Sequence, residues 1–178
     1  MSEWTIDDAM GALEPHFDVI DTICRNGLAT YRRYPADVLI EHSVRAAATC
    51  TYDHMVAEAE RRLTGLERIV FRDIRGLKVW IVDDKAVIRF KKMDEDGRSR
   101  NYPTKQAKDY DRQQQLPGLP FPPLNLVAGY LLDPTGTEVV RVQVSRPLGK
   151  EIDWCAAIVP ASERKVGERR WIVINARF

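Results

Sequence analysis

The sequence predicts an α+β domain in which N-terminal helices pack on a mostly antiparallel β-sheet. Two observations carry that expectation. Through the first 65 or so residues the apolar side chains recur at three- and four-residue steps. From Ile69 onward the apolar runs are short, β-rich and separated by turn-forming residues. No internal repeat is present, and 178 residues suit a single domain, 1–178, with a proper core.

Thr5 followed by Asp8 reads as a capping box that starts the first helix. Ile6, Met10, Leu13, Phe17, Ile20 and Ile23 continue its apolar face, and Asn26-Gly27 is expected to close it. Pro15 falls inside this pattern and predicts a kink or two short helices. A second, longer helix is expected from Pro35, a good first-turn residue, to Thr64-Gly65. Val38, Leu39, Val44, Ala48, Met55 and Leu63 supply its buried side.

Leu77 to Val82 and Ala86 to Phe90 read as strands joined by a hairpin turn at Asp83-Asp84-Lys85. A charged connection follows from Lys91 to Tyr102, and Thr104 then caps a short polar helix to about Gln114 with few core residues. After a proline-rich stretch, strands are expected at Leu126–Leu132, Glu138–Ser145, Ile152–Val159 and Trp171–Ile174. Pro134-Thr135-Gly136 and Leu148-Gly149-Lys150 provide turns in what reads as an antiparallel meander.

Composition narrows the function classes. Apolar residues make up 44% and charged residues 30%, as in ordinary globular proteins. A net charge of +1 gives no global field toward nucleic acid or membrane. Cys24, Cys50 and Cys155 are odd in number and far apart, without Cys-x-x-Cys or His-x-x-x-His spacing, so no zinc site or disulfide framework is indicated. The N-terminus lacks the basic start and apolar core of a signal peptide. No apolar run nears the roughly 18 residues of a membrane span. The expected compartment is the cytoplasm, with no membrane partner and no cofactor.

Catalytic patterns are sparse. His42 and His54 are twelve residues apart on the expected second helix, about 120° around its axis, and so cannot share a ligand. No Gly-x-Ser-x-Gly elbow, phosphate-binding loop or dinucleotide fingerprint occurs. One enzymatic alternative is a small metal-dependent nuclease: Asp73, Asp83 and Lys85 resemble the carboxylate and Asp-x-Lys set of restriction-type nucleases, with Glu41 as an added carboxylate. Asp83 and Lys85 sit in an expected hairpin turn, which argues against it. A second alternative is a nucleic-acid-binding regulator. It would use the basic 89–108 cluster, chiefly Arg89, Lys91, Lys92 and Arg100, with Phe90 and Tyr102 interleaved. Asp94, Glu95, Asp96, Asp109 and Asp111 dilute that field.

Residues 113–123, Gln-Gln-Gln-Leu-Pro-Gly-Leu-Pro-Phe-Pro-Pro, look built for a partner. Their prolines exclude a helix and predict an extended, stiff segment from which Leu116, Leu119 and Phe121 project. Those anchors either pack under the protein's own sheet or reach a second protein. The polar run Gln113 to Gln115 leaves the entrance exposed and favours the partner.

The stretch Gln115-Leu116-Pro117-Gly118-Leu119-Pro120-Phe121 resembles the peptides that dock bacterial proteins on the DNA-replication sliding clamp, the β subunit of DNA polymerase III. In those peptides a glutamine hydrogen-bonds at a small subsite while aliphatic and aromatic residues fill a pocket. Gly118 adds one residue to the commonest spacing. With its size and lack of catalytic motifs, the chain resembles the SocB-type toxins of bacterial toxin–antitoxin pairs. The resemblance implies a non-enzymatic inhibitor of replication that binds the clamp through Gln115, Leu116, Leu119 and Phe121 and competes with other clamp users. It also implies a cognate antitoxin acting as an adaptor to the ClpXP protease.

Overall fold

A computed structural model describes residues 3–100 and 104–177. The chain begins with α1 (Ile6–Leu13) and a 3-10 turn at Glu14–His16, then α2 (Phe17–Arg32), α3 (Ala36–Glu41) and α4 (Val44–Arg62). Seven strands follow: β1 (Ile69–Ile74), β2 (Leu77–Val82), β3 (Ala86–Lys92), β4 (Asn125–Leu132), β5 (Val139–Leu148), β6 (Glu151–Ile158) and β7 (Trp171–Ala176). α5 (Lys105–Asp111) lies between β3 and β4. The expected α+β class is the one found.

The Thr5–Asp8 capping box forms as read: Asp8 N–H donates to the Thr5 hydroxyl at 3.1 Å, and Thr5 N–H to the Asp8 carboxylate at 3.0 Å. Pro15 sits in the 3-10 turn that divides α1 from α2. Asn26-Gly27 does not end the helix, however; α2 runs on to Arg32 with Leu28 and Tyr31 buried. Gly27 is where α2 meets α4, since an added Cβ would lie 2.3 Å from Met55 Cγ and 3.1 Å from its backbone nitrogen. The expected helix from Pro35 to Gly65 is instead two. His42 is extended, and the Ser43 hydroxyl accepts Ala46 N–H at 3.1 Å, starting α4 afresh.

Strands order along the sheet as they do along the chain, and all neighbours are antiparallel except β3 and β4. The meander is therefore broken once, where the chain crosses over from Lys92 to Asn125 and returns parallel. The Asp83-Asp84 turn is as expected, with both residues at positive φ (54° and 53°), the geometry of a tight hairpin.

Each face of the sheet carries a core. On one, Trp80, Ile88, Phe90, Tyr130, Val144 and Trp154 meet Met10, Phe17, Ile20, Ile23 and Met55 of the helices. On the other, Val79, Ile81, Val87 and Val127 meet Tyr110, Leu116 and Leu119 of the crossover. α5 is short and polar as expected, with Ala107 and Tyr110 as its buried residues.

The two helical glycines should respond oppositely to alanine. Gly27→Ala overpacks the α2–α4 contact and should lose about 1–3 kcal/mol in denaturant unfolding. Gly11→Ala meets open space and should gain up to about 1 kcal/mol from helix propensity. Equal effects at the two positions would contradict the close α2–α4 approach.

Candidate partner-binding site

The crossover is fastened to the β3–β4 seam by polar side chains. The Tyr110 hydroxyl donates there, 2.6 Å from the Leu126 carbonyl oxygen and 2.9 Å from that of Val87. The Gln113 carboxamide accepts Asn125 N–H at 2.8 Å and donates to the Asn125 and Pro147 carbonyls at 2.7 and 2.9 Å. The Asn125 amide donates to the Tyr110 carbonyl at 3.2 Å.

The segment that follows is a turn and not an extended ribbon. Leu119 N–H donates to the Leu116 carbonyl at 3.1 Å, with Pro117 and Gly118 between them and Gly118 at φ +81°. This is a type II turn: proline suits its second position, and the positive φ at its third suits glycine. The turn folds both leucines onto the sheet, where Leu116 and Leu119 are buried. Gln115 closes the turn, its amide donating to the Leu119 carbonyl at 2.6 Å and the Leu116 carbonyl at 3.2 Å. Of the four residues expected to face a partner, Leu116 and Leu119 belong to the protein's own core and Gln115 holds the turn shut. Phe121 projects, 71% exposed, and Gln115 is exposed at the mouth of the turn. The Trp4 indole N–H reaches the Pro122 carbonyl beside it at 3.4 Å.

The first residue of the basic cluster is not at the surface. Arg89 is buried; its guanidinium donates to Asp111 at 2.9 Å and lies 5.0 Å from the Tyr110 ring centre, and among the described residues its Nε has no partner. Phe90 is in the helix-side core. Lys91 is half-buried, its ammonium 4.7 Å from the Tyr52 ring centre. Lys92 is half-buried and Arg100 exposed, while Tyr102 lies outside the described residues. Arg89 is thus an internal tie for α5, unavailable to a phosphate backbone. Burial raises the Asp111 carboxyl, an effect that Arg89 and Lys91 oppose. Burial, with Arg89 adding to it, pushes the Lys91 ammonium down to about 8.

The nuclease residues are kept apart. Asp73 accepts Gly76 N–H at 2.7 Å in the β1–β2 turn, whereas Asp83 pairs with Arg68 at 3.0 Å at the other end of that ladder. Five rungs separate them, roughly 17 Å at about 3.4 Å per residue. They cannot hold one metal. Among the described residues no group of three or more His, Cys, Asp or Glu is placed to hold a metal ion.

His42 and His54 each meet a tyrosine of the α2–α3 region. His42 Nδ1 is 3.0 Å from the Tyr31 hydroxyl with the rings stacked, and His54 Nε2 is 2.7 Å from that of Tyr34. Burial pushes the Cys155 thiol up to about 12 and raises Cys24 further, so neither is a thiolate near neutral pH. Among the described residues no helix is long and apolar enough to cross a membrane. Comparison with protein-family models, curated proteins and solved structures returns no match for this chain.

Lys91 makes a pH-dependent difference to stability. Between pH 8 and its ordinary 10.5 the unfolded chain binds the proton more readily, so stability should rise with pH across that window. Below it the buried charge exerts its full penalty. Lys91→Met should therefore raise Tm at pH 7, with the gain shrinking toward pH 10.5. A lower Tm at pH 7 would mean that the Tyr52 contact outweighs desolvation.

Proposed function

We propose that this chain acts by docking on another protein through the tip of the crossover, and that the partner is the bacterial DNA-replication sliding clamp. In this reading it is a toxin-like inhibitor that competes with other clamp-binding proteins, with an antitoxin adaptor and ClpXP following from the same resemblance. What carries the reading is the exposed Phe121 ring at the end of a clamp-peptide-like stretch.

Burial of the leucines reshapes the energetics. Moving Leu116 and Leu119 from this core into a clamp pocket loses roughly 1.5–3 kcal/mol each and regains about the same, so that exchange is near neutral. Phe121 contributes a net gain of about 1.5–3 kcal/mol. A micromolar complex needs about 8 kcal/mol, so the folded body must supply further contacts.

The test is clamp binding by purified protein, measured by surface plasmon resonance. Wild type should bind, and Phe121→Ala should weaken binding about tenfold or more while leaving the Tm unchanged. Leu119→Ala should lower stability by about 2–5 kcal/mol, which separates the anchor from the core residue. Failure of the wild type to bind, or undiminished binding by Phe121→Ala, would refute the proposal.

A further inference from the structure

The polar group beneath the crossover leaves one amine without a counter-ion. Lys91 is half-buried on β3, its ammonium 4.7 Å from the ring centre of Tyr52 on α4. Among the described residues it makes no hydrogen bond and no ion pair. Arg89, two residues back on the same side of the strand, holds Asp111 of α5 at 2.9 Å. The carboxylate that attracts Lys91 is thus already committed, and the guanidinium that holds it repels the Lys91 charge. Arg89 Nε is sealed from solvent, whereas Lys91 Nζ keeps access to it.

The other lysines stand differently. Lys78 lies 3.7 Å from Glu60 and Lys105 2.7 Å from Asp109. Lys85, Lys108, Lys150 and Lys165 are exposed to water. Lys92 is half-buried as well, but strand alternation turns it away from Arg89. A partly desolvated amine beside a second cation favours its neutral form, and the neutral amine is the nucleophile. With the Lys91 ammonium pushed down to about 8 by burial and then by Arg89, roughly a tenth of it is neutral at pH 7. That is about three-hundredfold more than for an ordinary lysine.

We propose that Lys91 is an acyl-acceptor site, modified at its amine by small activated acyl donors of the thioester class. The Nζ lone pair attacks the thioester carbonyl carbon, a C–N bond forms as the C–S bond breaks, and the proton lost by nitrogen leaves with the thiol. The product is a neutral amide at a place where burial penalises a charge, so modification removes that penalty. Lys91 lies on β3, outside 113–123, and its reactivity does not rest on clamp docking.

The test treats the full chain with a limiting amount of the acetyl thioester of N-acetylcysteamine and reads acetylation of each lysine by peptide mass spectrometry. At pH 7 Lys91 should react about tenfold faster than Lys92, because a less basic nucleophile is intrinsically weaker and partial burial slows the approach. Its rate should level off above about pH 8, while the exposed lysines continue to speed up. Unfolding in urea should erase the preference. Lys91→Arg should remove the fast site and leave the remaining lysines at their own rates. Equal rates at Lys91 and Lys92 in the folded chain, a Lys91 rate that climbs without levelling, or a preference that survives unfolding would overturn the proposal.

Discussion

β4 lies parallel to β3, and a parallel pair cannot be joined by a tight turn. The chain must therefore leave β3, travel back along the sheet and enter β4 from the same end. Everything about the candidate site follows from that return journey. The crossover passes over the sheet face that the N-terminal helices leave bare, and Val79, Ile81, Val87 and Val127 there need cover. Tyr110, Leu116 and Leu119 provide it. The Tyr110 hydroxyl and the Gln113 carboxamide then serve the backbone groups where the seam begins, since buried polar groups left unpaired would be expensive. Arg89 is tied down by the same arrangement, its guanidinium paired with Asp111 beneath α5.

Much of the fold was legible because local signals agreed with tertiary packing. The Thr5 capping box, the Asp83-Asp84 turn and each later strand rest on nearest-neighbour chemistry. The misreadings share a cause: a residue whose local meaning was overruled, or read too narrowly. Gly27 looked like a helix stop and is a contact point between helices, where only the partner helix gives it meaning. Ser43 breaks the expected long helix because its hydroxyl caps α4. Pro117-Gly118 carried the pattern of a type II turn, yet the density of prolines suggested a straight ribbon. The turn places Leu116 and Leu119 in the core, where an extended segment would have left them outside.

The Phe121 tip and the β7 end of the sheet differ in kind. Phe121 is a single exposed aromatic on a braced turn, suited to filling a pocket in another protein. β7 is the last strand of the sheet, uncharged from Trp171 to Ala176, and its flanking arginines are engaged in ion pairs with Asp7, Glu14 and Glu151. Neither involves Arg89, Asp111 or Lys91; the raised Asp111 carboxyl and the lowered Lys91 ammonium reflect desolvation at the crossover.

The central claim is that residues 116–119 form a turn folded onto the sheet, with leucines inward and the phenyl ring outward. Amide hydrogen exchange resolved by NMR addresses it most directly. The Leu119 and Asn125 amides, donors to the Leu116 carbonyl and the Gln113 side chain, should be protected to a degree comparable with β3 and β4. Exchange of Leu119 at the rate of an unstructured peptide would contradict the account and restore the picture of a free ribbon.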